Sequence, residues 1–341
     1  MASGLAWVGI VPEANMRPSR NQGRKQGREQ ERGRTARRGA GLAVAALAIA
    51  CLPFAMLAMA EARDVAARAQ DASVASTAAS QSAQTPRRIV SLNPCLDAIL
   101  LEVADPAQIR ALSHYSHDPA QSSVVEAARR FPVTYETAEE ILLLEPDLVL
   151  ASIHSSPSTR RALEQMNIPV AAFGVPGTVE ESHRQIRDVA ATVGHPERGE
   201  ALIRRIDAAL DDLRPPPGSK PIPTLILQPG GFSPGRGTLQ NDLLTRAGLD
   251  NVSDRYGVDF WGVVRLEELV ADPPRLVLAG EGGASALSGG DRLLSHPVLK
   301  RLQGRMVTSP YPRHLLYCGG PTLLHAARYL RLARTALDNA S

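Results

Sequence analysis

Several residue groups in this chain have the types and spacing of reactive or ligating chemistry. Gly231-Phe232-Ser233-Pro234-Gly235 spells G-x-S-x-G, the pattern that presents a nucleophilic serine in hydrolases. A hydrolase needs the backbone N–H after that serine for its oxyanion hole, and Pro234 has none. His114 and His117 form H-x-x-H around Tyr115, and His154 follows another apolar segment. Such imidazoles can bind bare Zn²⁺ or Mn²⁺, or take an axial position on haem iron, but no second acidic ligand accompanies them. Ordinary polar surface is the competing reading. Gly235-Arg236-Gly237 opens like a dinucleotide loop, yet Gln240 stands where the third glycine belongs. Arg236 and Thr238 suit an anionic group at a helix N-terminus, or Thr238 simply caps that helix. No G-x-x-x-x-G-K-[ST] occurs, so the chain is not a P-loop ATPase.

These groups need elements that hold loops at strand ends. From residue 88 short apolar runs alternate with helical patterns. Strands are expected over 89–92, 109–113, 132–134, 148–151 and 170–173, with helices over 95–103, 120–130, 138–144 and 158–166. Residues 178–213 are helical throughout, broken by Gly194-His195-Pro196. Alternation then resumes, with strands over 224–228, 276–279 and 306–308 and helices over 239–247, 266–271 and 321–337. This is an α/β pattern with mainly parallel sheets, in two lobes joined by helix. The lobes share a repeat: Glu139 to Ala151 matches Glu267 to Ala279 without a gap. Each copy reads Glu-Glu, a helical turn, a proline (Pro146, Pro274), then Leu-Val-Leu-Ala.

Loops at the C-terminal ends of parallel strands carry binding groups. On that rule the cleft candidates are Asn93, His114, Tyr115, Tyr135, His154 and Phe173 from the first lobe. The second supplies Phe232, Arg236, Tyr256, Trp261, Tyr311 and Arg313. Only 4% of residues are aromatic, so aromatics at such positions are informative. They suit broad macrocycle or catecholate faces, and arginines suit anionic chelates; ordinary packing is the alternative for each aromatic.

The net charge of +3 averages two unlike segments. Residues 1–39 hold nine Lys/Arg against three acids, 40–60 hold no charge, and 61–341 carry a net −3. The basic excess lies in the leader, so a nucleic-acid reading fails. The uncharged run ends in Ala58-Met59-Ala60, which reads as an export signal cleaved after Ala60, with a retained anchor as the alternative. Translation starting at Met16 or later is also open. Residues 61–86, rich in Ala, Ser and Gln, read as a flexible tether. Cys95 and Cys318 remain once the leader is removed, as a disulfide or as two buried thiols.

The run Arg88-Ile89-Val90-Ser91-Leu92-Asn93-Pro94-Cys95 with Asp97 and Leu100, the two Glu-to-Pro units, and Tyr317-Cys318-Gly319-Gly320-Pro321 together resemble the substrate-binding proteins of ABC importers for metal chelates. The resemblance covers about residues 87–338. It implies two Rossmann-like α/β lobes, 87–194 and 215–341, joined by a long rigid helix at 195–214, with a ligand cleft between them and little closure on binding. It implies a periplasmic, non-enzymatic protein with no resident cofactor. The cargo would be cobalamin, a ferric siderophore or haem, so the metal would be cobalt or iron. The partner would be an ABC permease with its ATPase subunit, docked through Glu139 and Glu267. Two other readings remain open at this level: a bare Zn/Mn binder using His114 and His117, and a secreted serine hydrolase using Ser233.

Overall fold

The computed structural model describes residues 85–280, 296–302 and 304–340. The expected export segment, and all but the end of the expected tether, lie outside these residues. The first lobe is a parallel sheet in the order β3-β2-β1-β4-β5, formed by Ile89–Ser91 (β1), Ile109–Ser113 (β2), Val133–Thr134 (β3), Leu148–Ser152 (β4) and Val170–Phe173 (β5). The second is β11-β10-β6-β8, from Ile222–Leu227 (β6), Leu249–Asn251 (β8), Leu276–Ala279 (β10) and Val307–Pro310 (β11), also parallel. The central strands are continuous apolar runs because helices cover both faces. Every residue of β4 is buried. Within the repeat, β4 and β10 occupy inner positions of their sheets.

Helix α1 (Pro94–Val103) starts where the side chain of Asn93 accepts from the backbone N–H groups of Cys95 (3.0 Å) and Leu96 (3.4 Å), with proline in its first turn. The expected helix over 120–130 shrinks to α2 (Val125–Ala128). Its first half is diverted because Asp118 accepts from Ala120 N at 2.9 Å and Ser122 Oγ accepts from Val124 N at 3.1 Å, which competes with helical bonding. Helices α3 (Ala138–Leu143) and α4 (Pro157–Gln165) complete the first lobe.

The link between the lobes is a helix pair, which revises the expectation of one helix at 195–214. Helices α5 (Val179–Thr192) and α6 (Pro196–Asp211) run in opposite directions and both span the lobes. The first turn of α5 meets helix α7 (Leu239–Arg246) of the second lobe, where Val179 N donates to Asp242 Oδ2 at 2.8 Å. Its far end meets the first lobe, where Gln108 Nε2 donates to Val193 O at 3.1 Å. Helix α6 begins on the first lobe, with Arg198 on Asp105 at 2.7 Å. It ends against the second, where Arg334 of the final helix donates to Leu213 O at 3.2 Å. The pair packs closely at Gly199, where a Cβ would stand 2.7 Å from that of Ala190.

Helices α8 (Leu266–Ala271), α9 (Pro297–Lys300) and α10 (Thr322–Asp338) belong to the second lobe. One hydrophobic core runs from Ile89 and Leu96 through Ile186 and Leu202 to Ile226 and Leu330, so the lobes share their packing. Cys95 and Cys318 are joined as a disulfide with Cα atoms 5.0 Å apart. It ties the first turn of α1 to the loop before α10, directly between the lobes. Gly320 N donates to Ser182 Oγ of α5 at 2.7 Å, and Ser123 Oγ lies 3.0 Å from Thr322 Oγ1. The fragment 61–341 should therefore show no free thiol when unfolded without reductant and two after reduction, as read by a thiol-reactive dye. Cys95→Ser with Cys318→Ser should cost about 3–5 kcal/mol of unfolding free energy, given so long a closed loop.

Candidate functional site

A cavity of about 610 Å³ lies between the lobes, within the size range of small-molecule sites. The first lobe contributes Asn93, Cys95, Tyr115, Gln121, Ser152 and His154 to its walls. The second contributes Phe232, Thr238, Phe260, Trp261, Leu316 and Tyr317, and the chain crossing from β5 to α5 adds Val175, Pro176 and Gly177. No Lys, Arg, Asp or Glu lines it among the described residues.

The aromatic wall comes from two short strands that the sequence reading had not assigned. Phe232–Pro234 (β7) and Trp261–Val263 (β9) pair antiparallel, with Pro234 opposite Trp261 and Phe232 opposite Val263. Phe232 and Trp261 are thus diagonal neighbours on one face. Their rings stack at 5.2 Å with planes 8° apart, and Phe260 meets Trp261 edge-on at 6.3 Å. Phe260 is 59% exposed and forms the lip. Gly235 allows this strand pair to close: its N–H donates to Phe260 O at 2.6 Å, and a Cβ there would sit 2.4 Å from Asp259 O.

Of the sequence candidates, Asn93, Tyr115, His154, Phe232 and Trp261 share this cavity. The amide oxygen of Asn93 is committed to capping α1. Phe173 lies in a small recess behind it, with Asn93, Cys95, Ser152 and Tyr317. Tyr135 is 64% exposed and stacks on His114 at 4.7 Å, and His114 in turn lies 3.9 Å from the Tyr115 ring. These two back Tyr115 instead of lining the cavity. Arg313 also stands behind the wall, donating to Tyr317 Oη at 2.9 Å. Arg236 is turned away and paired with Asp254 at 2.8 Å. Thr238 instead caps α7, accepting from Asn241 N at 3.3 Å.

Two candidates are corrected outright. Tyr256 is buried in the second lobe with its hydroxyl donating to Asp272 O at 2.6 Å; burial pushes its phenol up to about 12. Tyr311 is 1% exposed and donates to Gln240 Oε1 at 2.7 Å, with burial again raising its pKa. Both fill core space beside strand ends, where an aromatic pattern alone looks the same as a cleft. Conversely, Gln121, Phe260 and Tyr317 were missed. Tyr317 was within reach, because it immediately precedes Cys318 in the quoted motif.

The bare-ion reading finds no ligand set. His117 Nε2 is engaged by Ala128 O at 3.0 Å, and no group of three His, Cys, Asp or Glu suited to a metal occurs among the described residues. The hydrolase reading fails on geometry too. Ser233 is mid-strand in β7, fully buried, with no hydrogen-bond partner for Oγ among the described residues.

Glu139 and Glu267 stand exposed on the first turns of α3 and α8, free of salt bridges within 4.0 Å among the described residues. Their neighbours differ: Glu140 accepts from Tyr135 N at 2.8 Å, and Glu268 pairs with Arg265. Each repeat thus spends its second glutamate on local structure and leaves its first outward.

A fold of two parallel-sheet lobes joined by helices, with a cavity between them, defines an inter-lobe ligand-binding protein. The family model for periplasmic binding protein matches residues 89–303, and the chain belongs to that family. It is 24% identical over 264 residues to the vitamin B12-binding protein of Pectobacterium carotovorum, covering 75% of this chain and 91% of the relative. The vitamin B12-binding protein of Photorhabdus laumondii is 26% identical over 204 residues, covering 57% and 71%. Among solved structures, periplasmic haem-binding protein BhuT with two haems superposes with a TM-score of 0.59 at 26% identity, covering 74% and 99%. The vitamin B12-binding protein BtuF of Vibrio cholerae gives 0.56 at 20% identity, covering 75% and 98%, a likeness of fold.

Ser233→Ala should leave ligand binding unchanged and alter stability by no more than about 1 kcal/mol, since its hydroxyl satisfies nothing. A thermal melt and a binding titration check both.

Proposed function

We propose that this protein captures a cobalt corrinoid of the cobalamin type in the inter-lobe cavity and delivers it to an ABC permease. The observation that carries the reading is a wall without Lys, Arg, Asp or Glu among the described residues, faced by the stacked Phe232–Trp261 pair. An anionic catecholate chelate would meet no countercharge there, and an unpaired buried carboxylate or phenolate costs several kcal/mol. A corrin with an amide periphery needs apolar faces and neutral hydrogen-bonding groups, which Tyr115, Gln121, Ser152 and Tyr317 supply. The names of the curated relatives support the same cargo. Export through the 40–60 segment would place the protein in the periplasm, with ATP hydrolysis left to another chain.

One observation favours a second cargo. Arg313 donates to the phenol oxygen of Tyr317 on the cavity wall, an arrangement that would stabilise a phenolate on haem iron. Titration of the fragment 61–341 separates the two. Trp261 is its sole tryptophan and reports from the wall. Cyanocobalamin is expected to quench it saturably at one equivalent, and Trp261→Ala to weaken binding about tenfold, read by calorimetry. Haemin binding that is lost in Tyr317→Phe, with no response to cyanocobalamin, would replace the corrinoid by haem.

For delivery, Glu139 and Glu267 would dock on basic permease residues, one from each lobe. Glu139→Lys with Glu267→Lys should abolish uptake in cells while leaving affinity in solution intact. Uptake at the wild-type rate would remove the docking role.

A further inference from the structure

The recess that holds Phe173 has a volume of about 30 Å³. It shares Asn93, Cys95, Ser152, Val175, Pro176 and Tyr317 with the cavity, so it opens off the same wall. That is room for about two waters, or for one small planar group.

The fold leaves polar groups of this recess unused. The side-chain oxygen of Asn93 accepts from Cys95 N and Leu96 N at the start of α1. Those two donors identify the oxygen and fix the amide, so Nδ2 is its other end. Nδ2 has no hydrogen-bond partner among the described residues. Capping alone does not ask for it. Serine, aspartate and asparagine cap about equally well, and only asparagine carries a second, donating end.

Gln185, on α5, lines the recess from the linking helices and is 8% exposed. Its Nε2 donates to Gly174 O at 2.7 Å, and its Oε1 is buried without a partner among the described residues. A buried side-chain oxygen left unmatched is uncommon. Ser152 accepts from His154 N at 3.1 Å through Oγ, which leaves its own O–H to donate. The recess thus holds donors in Asn93 Nδ2 and Ser152 Oγ and an acceptor in Gln185 Oε1, beside apolar Leu96 and Phe173.

A carboxamide is the complement of this set. Its C=O accepts from Asn93 and Ser152, its N–H donates to Gln185, and the methylenes that carry it lie on the apolar side. A carboxylate would satisfy the donors but press a charged oxygen against Gln185 Oε1. No Lys or Arg lines the recess among the described residues to offset that charge. We propose that the recess is a subsite for one uncharged carboxamide arm of the ligand, with Asn93 and Gln185 setting its specificity. The proposal rests on reading the cavity as the ligand site. It narrows the cargo to a corrinoid whose periphery carries amides in place of free acids.

The equivalence of caps supplies the test. Asn93→Asp and Asn93→Ser both keep the cap, so a purely structural role for Asn93 leaves melting temperature and affinity unchanged in both. The subsite also leaves the melting temperature unchanged but weakens cyanocobalamin binding, read by calorimetry on the fragment 61–341 at pH 7.5. Asn93→Ser loses the donor and is expected to bind about tenfold more weakly. Asn93→Asp replaces the donor by a charged acceptor and is expected to bind about a hundredfold more weakly. Wild-type affinity in both variants would overturn the proposal. If the wild type itself does not bind cyanocobalamin, the corrinoid reading fails and the subsite is decided without it. The side-chain amide resonances of Asn93 and Gln185 are then followed in the ligand-free wild-type fragment as acetamide or acetate is added. Saturable shifts of both with acetamide and not with acetate support the subsite. No shift with acetamide, or equal shifts with acetate, refutes it. The same titration decides the point if neither variant folds.

Discussion

The structure depends on how its two lobes are held at a fixed separation. Three chain crossings, a disulfide and a shared hydrophobic core all join the same two sheets. A single helical strut resists bending but leaves rotation about its own axis. Two helices packed along each other, with each end bonded to a different lobe, resist both. The Cys95–Cys318 bridge then fixes the floor from the cavity side. Hinge motions need a few residues free to absorb backbone rotation, and here the crossing segments are tied at both ends.

The chemistry of the cavity follows from that rigidity. A site that closes little must be complementary before the ligand arrives, so its walls are built from side chains with few accessible rotamers. Stacked Phe232 and Trp261 meet this need on one lobe. On the other, Tyr115 is backed by His114, on which Tyr135 stacks, and its turn is held by the buried Asp97 through the hydroxyls of Ser113 and Ser116. Arg313 and Arg236, the cations nearest in sequence to cavity residues, are spent on Tyr317 and Asp254. Among the described residues, no Lys, Arg, Asp or Glu is left on the cavity wall.

Much of this was legible in the residues. The Glu-to-Pro repeat marked β4 and β10 because a fully buried parallel strand must be continuously apolar. The helical pattern over 95–103 marked the body of α1, and the two cysteines left after the leader made a bridge possible. What could not be read was what each helix end touches. Gly194-His195-Pro196 announced two helices, but periodicity says nothing about which lobe receives the first turn of α5. Nor could strand-end position separate Tyr115 and Trp261, which face the cavity, from Tyr256 and Tyr311, whose hydroxyls found backbone or amide partners in the core. The β7–β9 pair escaped because its strands are distant in sequence and, at three residues each around Pro234 and Gly262, carry no alternation long enough to recognise.

The central claim is that a corrinoid lies between the Phe232–Trp261 pair and Tyr115 in a cleft already at its final width. Anomalous diffraction at the cobalt edge, from crystals of the fragment 61–341 grown with cyanocobalamin, tests it most directly. One cobalt peak between those side chains, with the two sheets related as they are without ligand, is the expected result. A cobalt site elsewhere, or lobes rotated relative to each other around the ligand, would contradict it.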